Sequence, residues 1–275
     1  LLLVGIIYAS LSVLLVEWFF SVDRSLSSAS GMIVIAFCVM FSLPYIYGVL
    51  KKEEKDDESV EGFIGVLKEH SEVILAFLWL FLGFVIAFSF WNIILQDANI
   101  LNFQIETYCN VNSNSIKQAE QCVAKYSPNK FLPRATGKVT SSGKMIHFWS
   151  ILGNNLQVTI FSIVFSLIFG AGAIFVLAWN ASVIAAAIGV FTKYRVSEIP
   201  MGLARYMIHG IPEIAAYFIA ALAGGLIGIS TLKYGVRGEK FFRVLENSII
   251  LIFIAIIILI IAAFIEVFIT SAFFY

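Results

Sequence analysis

Six stretches of this chain stay apolar over the thickness of a membrane, and no other feature restricts its fold as strongly. They lie at about 1–20, 31–50, 72–95, 154–179, 206–230 and 245–273. A helix needs about 20 apolar residues to cross the hydrocarbon core. In that medium the backbone must satisfy its own polar groups, which leaves only helices and closed barrels. The runs are continuous rather than alternating, so they predict helices. Composition agrees: 60% of residues are hydrophobic and 13% are charged, against about a quarter charged in soluble domains. The expected fold is all-α, a polytopic transmembrane helical bundle of six or seven segments. The seventh candidate is "ASVIAAAIGVF" at 181–191. It is short for a crossing. It reads either as a re-entrant half-helix or as a crossing that borrows residues from the run before it. Whether 206–230 spans or re-enters is open in the same way, so the bundle has either full crossings throughout or one re-entrant or broken helix around 181–212.

The polar stretches divide the chain. Residues 1–50 read as an accessory transmembrane helix pair. The first run shows neither a charged leading region nor a small-residue cleavage site, so it reads as a retained helix. Residues 51–71 contain "KKEEKDDESVEGFIGVLKEH", a charged connector. Its Lys51, Lys52, Lys55 and Lys68 assign it to the cytoplasmic side. After a transmembrane helix at 72–95, residues 96–147 form an extracytoplasmic loop, and 148–275 the core membrane domain. The turn with Lys233, Arg237, Lys240 and Arg243 is again cytoplasmic, and the C-terminus falls outside. Cys109 and Cys122 lie 13 positions apart in the outer loop, where a disulfide is expected. Cys38 sits in an apolar run and reads as packing.

Several function classes drop out. The formal net charge is zero, so no bulk field draws nucleic acid. The three histidines, His70, His147 and His209, are far apart. The chain has no HExxH, GxSxG, phosphate-binding loop or GxGxxG. No enzyme activity, cofactor or metal is therefore expected.

What remains is a set of polar residues inside greasy segments, where ionisable groups are rare and mark function. Glu17 and Glu246 lie near predicted ends and reach the headgroups. Glu266 shares a helix face with Ala262 and Thr270, spaced by four. It reads either as a hydrogen-bonded packing residue or as a carboxylate on an ion route. In "HGIPE", Pro212 suits a first helical turn and Glu213 the positive end of the dipole. The stretch therefore predicts a helix starting at Pro212, with His209 before it. Downstream, Ala216, Ala220, Gly224 and Gly228 make a stripe that lets helices approach closely. Ser162, Ser166 and Gly170 make a second, weaker one.

The pieces "ILGNNLQVTIFSIVFSLIFGAG" (151–172), "WNASVIAAAIG" (179–189), "IHGIPEIAAYFIAALAGGLIGI" (208–229) and "AAFIEVFIT" (262–270) resemble the stage II sporulation protein M family in its archaeal-type form. Their polar anchors are Asn154, Asn155, Asn180, His209, Glu213 and Glu266. The resemblance covers about 150–271 and, more loosely, 72–95. It implies a multi-pass protein of the cell membrane. In sporulating bacteria such a protein resembles a scaffold that holds cell-wall hydrolases during engulfment. The expected function is thus a non-enzymatic membrane scaffold. Its partners are the lipid bilayer and other membrane or cell-envelope proteins, with a homo-oligomer left open. The rival is a transporter or channel component that uses Glu213 and Glu266, since discontinuous helices near the midplane mark transporters.

Overall fold

The computed structural model describes residues 1–20, 29–56, 68, 70–95, 100–111, 116–126, 144–169, 172–192, 195–236 and 238–270. Its helices are α1 (Leu2–Phe20), α2 (Ser30–Asp56), α3 (Ser71–Ile94), α4 (Asn102–Val111), α5 (Ile116–Tyr126), α6 (Lys144–Phe169), α7 (Gly172–Thr192), α8 (Ile199–Tyr234) and α9 (Glu239–Phe264). A 3-10 turn, Val196–Glu198, precedes α8, and a π-helical segment, Ile265–Thr270, continues α9. Among the described residues there is no strand, and six helices are long and apolar enough to cross a membrane. They are α1, α3, α6, α7, α8 and α9 with its π extension; Ser30–Ile46 of α2 is a shorter apolar helix. This is an all-α, multi-pass membrane protein.

Two expectations change and two open readings are decided. The run read as one span over 154–179 is two helices, because α6 stops at Phe169 and α7 begins at Gly172. The short run 181–191 is consequently the second half of α7, a full-length crossing. Among the described residues of 181–212 there is no broken or re-entrant membrane segment. Helix α8 is continuous over 36 residues, with Pro212 inside it, so 206–230 spans and "HGIPE" is not a helix start. Proline removes one helical hydrogen bond, here to the Ile208 carbonyl. Membrane helices tolerate this because neighbouring helices supply the packing. In the outer loop, 102–111 and 116–126 are helical. Most of the charged connector, 57–67, and residues 127–143 of the loop lie outside the described residues.

The chain divides into two compact units that interleave along the sequence. Leu1–Val39, Leu80–Gly143 and Ala178–Tyr206 make the first; Met40–Trp79, Lys144–Leu177 and Met207–Tyr275 make the second.

In the first unit, α1 and α3 run side by side in the same direction. A side chain on Gly5 would strike the Leu80 carbonyl oxygen, and one on Gly83 the Leu2 carbonyl oxygen. The two backbones are therefore in direct contact, which only glycine permits. Further along, Trp91 Nε1 donates to Ser10 Oγ at 2.9 Å. Helices α4 and α5 form a hairpin clipped by the Cys109–Cys122 disulfide, with Cα atoms 5.7 Å apart. Ile105, Cys109 and Val123 pack with Ala186 of α7 in one buried cluster, and the Tyr108 and Tyr206 hydroxyls lie 3.3 Å apart. At the start of α2, the Gly31 carbonyl accepts from Gln104 Nε2 at 3.0 Å.

In the second unit, a side chain on Gly224 would meet the Ile163 backbone, and one on Gly228 the Leu167 carbonyl. The small-residue stripe of α8 thus lies directly on α6, and the two helices run in the same direction. Ala216 and Ala220 of that stripe are fully buried. Phe77 packs on Phe218, with ring centroids 5.3 Å apart.

Candidate functional site

Because α8 does not begin at Pro212, His209, Glu213 and Tyr217 follow one another by a turn on a single helix face. The glycine contact downstream holds the α8 backbone against α6. A short side chain of α6 can then reach across: Asn155 Nδ2 donates to Glu213 Oε1 at 2.6 Å. Asn155 is buried at 5% exposure, and Tyr217, one turn after Glu213, is buried at 3%.

The end of α9 completes the site. Its π-helical segment carries Glu266 and Thr270. Thr270 Oγ1 lies 3.3 Å from His209 Nδ1, a hydrogen bond whose direction depends on the histidine tautomer. The carboxyls of Glu213 and Glu266 act on each other electrostatically, and both act on the Tyr217 hydroxyl. Glu213 and Glu266 are half-buried. Single π turns within α-helices occur often at functional sites.

Of the six polar residues singled out in the sequence, the structure brings four together: Asn155, His209, Glu213 and Glu266. Asn154 is exposed, with its Nδ2 3.5 Å from Asn155 Oδ1. Asn180 lies on α7 in the first unit. Tyr217 was missed, although it stands four residues after Glu213 on the same face. Thr270 had been placed with Glu266, and its link to His209 is new. Among the described residues, no three His, Cys, Asp or Glu side chains gather to hold a metal ion.

The family model for stage II sporulation protein M matches residues 29–271. The chain belongs to this family. No curated protein and no solved structure matches it. The family match takes in every residue of the cluster, whereas α1 lies before it. The sporulation protein M core therefore carries two carboxyls, an imidazole, a phenol, a carboxamide and a hydroxyl within one membrane-embedded group. All six can hydrogen-bond, and the first three kinds exchange protons.

Proposed function

We propose that this chain is a non-enzymatic scaffold of the cell membrane that recruits membrane or envelope proteins. The observation that carries this reading is the disulfide-clipped α4–α5 hairpin. One side of it packs on Ala186. The other presents Lys117, Gln118, Glu120, Gln121 and Lys125 to solvent. A crosslinked hairpin ties up little conformational entropy on binding, and a polar face suits reversible protein contacts. Membership of the sporulation protein M family supports the same reading. A pull-down in mild detergent tests it: defined partners are expected to leave with the hairpin when Lys117, Glu120 and Lys125 are replaced by alanine. A solitary protein, with or without these changes, overturns it.

A second reading has its own support, the convergence of Asn155, Glu213, Tyr217, Glu266, His209 and Thr270. Ionisable side chains in membrane segments mark ion and proton routes, so the chain is a transporter or channel component. In proteoliposomes Glu213→Gln and Glu266→Gln are expected to abolish flux while the fold survives. Wild-type vesicles no leakier than protein-free ones would remove this reading.

A further inference from the structure

Helix α6 is built inside out. Over its membrane span the lipid-exposed residues include Ile160, Phe161, Val164 and Leu167. The buried residues are Leu152, Asn155, Thr159, Ser162 and Ser166. Four of these five are polar, at spacings of four, three and four, so they form one line along the helix. The line begins at Asn155, the residue that holds Glu213.

A packing role does not account for these side chains. Close approach of α8 needs small residues, and alanine would serve, as Ala216 and Ala220 do on the facing helix. The hydroxyls instead add buried polar oxygens. Thr159 donates to the Asn155 carbonyl at 2.8 Å and Ser162 to the Val158 carbonyl at 2.7 Å, which leaves their lone pairs open. The Ser166 hydroxyl is fully buried and has no hydrogen-bond partner among the described residues, a state that costs about 1–3 kcal/mol. Three more such hydroxyls occur among the described residues: Ser230 near the end of α8, Ser248 on α9 toward the turn that joins the two, and Ser89 on α3 in the first unit.

From these observations we infer that the buried face of α6 is a proton path, entered through the Glu213–Glu266 pair and continued by Thr159, Ser162 and Ser166. The inference rests on the transport reading above and names its substrate. A metal cation is a poor fit, because a hard cation takes about six oxygens at once and the line offers one per turn. Successive polar side chains rise by about 4.5–6 Å, a step that one water or a hydroxyl rotation has to bridge for a proton to pass. Each hydroxyl accepts a proton on one side and releases its own on the other, so no charge stays on a serine. His209, Tyr217 and Thr270 surround the entry, and Asn155 holds the Glu213 carboxyl toward the line.

The test uses the full chain in liposomes loaded with a pH-reporting dye, with a potassium diffusion potential as the driving force. Wild-type protein is expected to acidify or alkalise the lumen with the sign of the potential. The combined Thr159→Val, Ser162→Ala and Ser166→Ala variant is expected to lose at least tenfold in rate with an unfolding midpoint no lower than that of the wild type. Ser166→Ala alone is expected to lose several-fold, and Ser166→Thr to keep the rate. If the triple variant conducts like wild type while Glu213→Gln does not, the path is wrong and the transport reading stands. Flux that follows a sodium gradient and ignores the pH gradient overturns the proton as substrate. A wild-type protein without flux overturns both.

Discussion

In the first unit, Gly5 and Gly83 bring α1 and α3 into backbone contact. In the second, Gly224 and Gly228 do the same for α8 and α6. The residues around the two contacts differ. Around α1 and α3 the buried side chains are mostly apolar, Ala9, Val13, Phe84 and Phe88 among them, with Ser12, Ser89 and Asn92 as polar exceptions and a link from Trp91 to Ser10; none of these is ionisable. Along α6 the buried side chains are almost all polar, and the contact ends at a pair of carboxyls. Close approach alone therefore makes a joint. It makes a site only where the surfaces brought together carry groups that lipid will not accept. In hydrocarbon the apolar joint gains from van der Waals packing, while polar groups must find partners within the protein.

The comparison can be broken first at the glycines. Gly83→Leu and Gly224→Leu both push a side chain into facing backbone, and each is expected to cost about 3 kcal/mol or more. Both variants should lose the folded fraction on thermal unfolding in detergent. A tolerant Gly224 would mean that α8 does not need α6 so close. Next is the hairpin, which owes its stability to a crosslink rather than to either kind of joint. Replacing Cys109 and Cys122 by serine is expected to cost about 2–4 kcal/mol. Limited proteolysis should then cut within 102–126, where the wild type resists.

Smaller effects sharpen the polar side. Asn155→Ala leaves the Glu213 carboxyl without its donor and is expected to destabilise by about 1–3 kcal/mol. Its neighbour Asn154 is exposed, so Asn154→Ala should shift the unfolding midpoint by no more than about 0.5 kcal/mol. Equal effects at the two positions would contradict the geometry of the site. A small change is expected in the more apolar joint too. Trp91→Phe keeps the ring and loses one hydrogen bond, worth about 1 kcal/mol.

Much of this architecture was legible in the sequence because bilayer length is a simple requirement. The runs at 1–20, 31–50, 72–95 and 206–230 fall within α1, α2, α3 and α8, give or take a residue at an end. The disulfide followed from two cysteines in a polar segment. The boundary between α6 and α7 was hidden because "IFGAGAIF" has no charge or polar turn residue to mark a helix end. Pro212 was misread because proline at a helix start and proline inside a membrane helix share the same local sequence. Only the packing of α8 on α6 separates them. The amphipathic pattern of α5, with Ala119 and Val123 on one face, was present but lay in a segment rich in polar residues. The site was half visible: Glu213 and Glu266 were conspicuous as carboxyls among apolar neighbours. Tyr217, Thr159 and Ser162 were not, since tyrosine, threonine and serine are ordinary in membrane helices.

The π-helical segment at Ile265–Thr270 ties the site to the length of the chain. An α-helix turns by about 100° per residue, and the wider turn delays that rotation just where Glu266 and Thr270 emerge. Removing a single residue from this segment would return it to α-helical winding and swing Thr270 away from His209 without altering any side chain. Here the number of residues matters as much as their chemistry, and a deletion would do what few substitutions could.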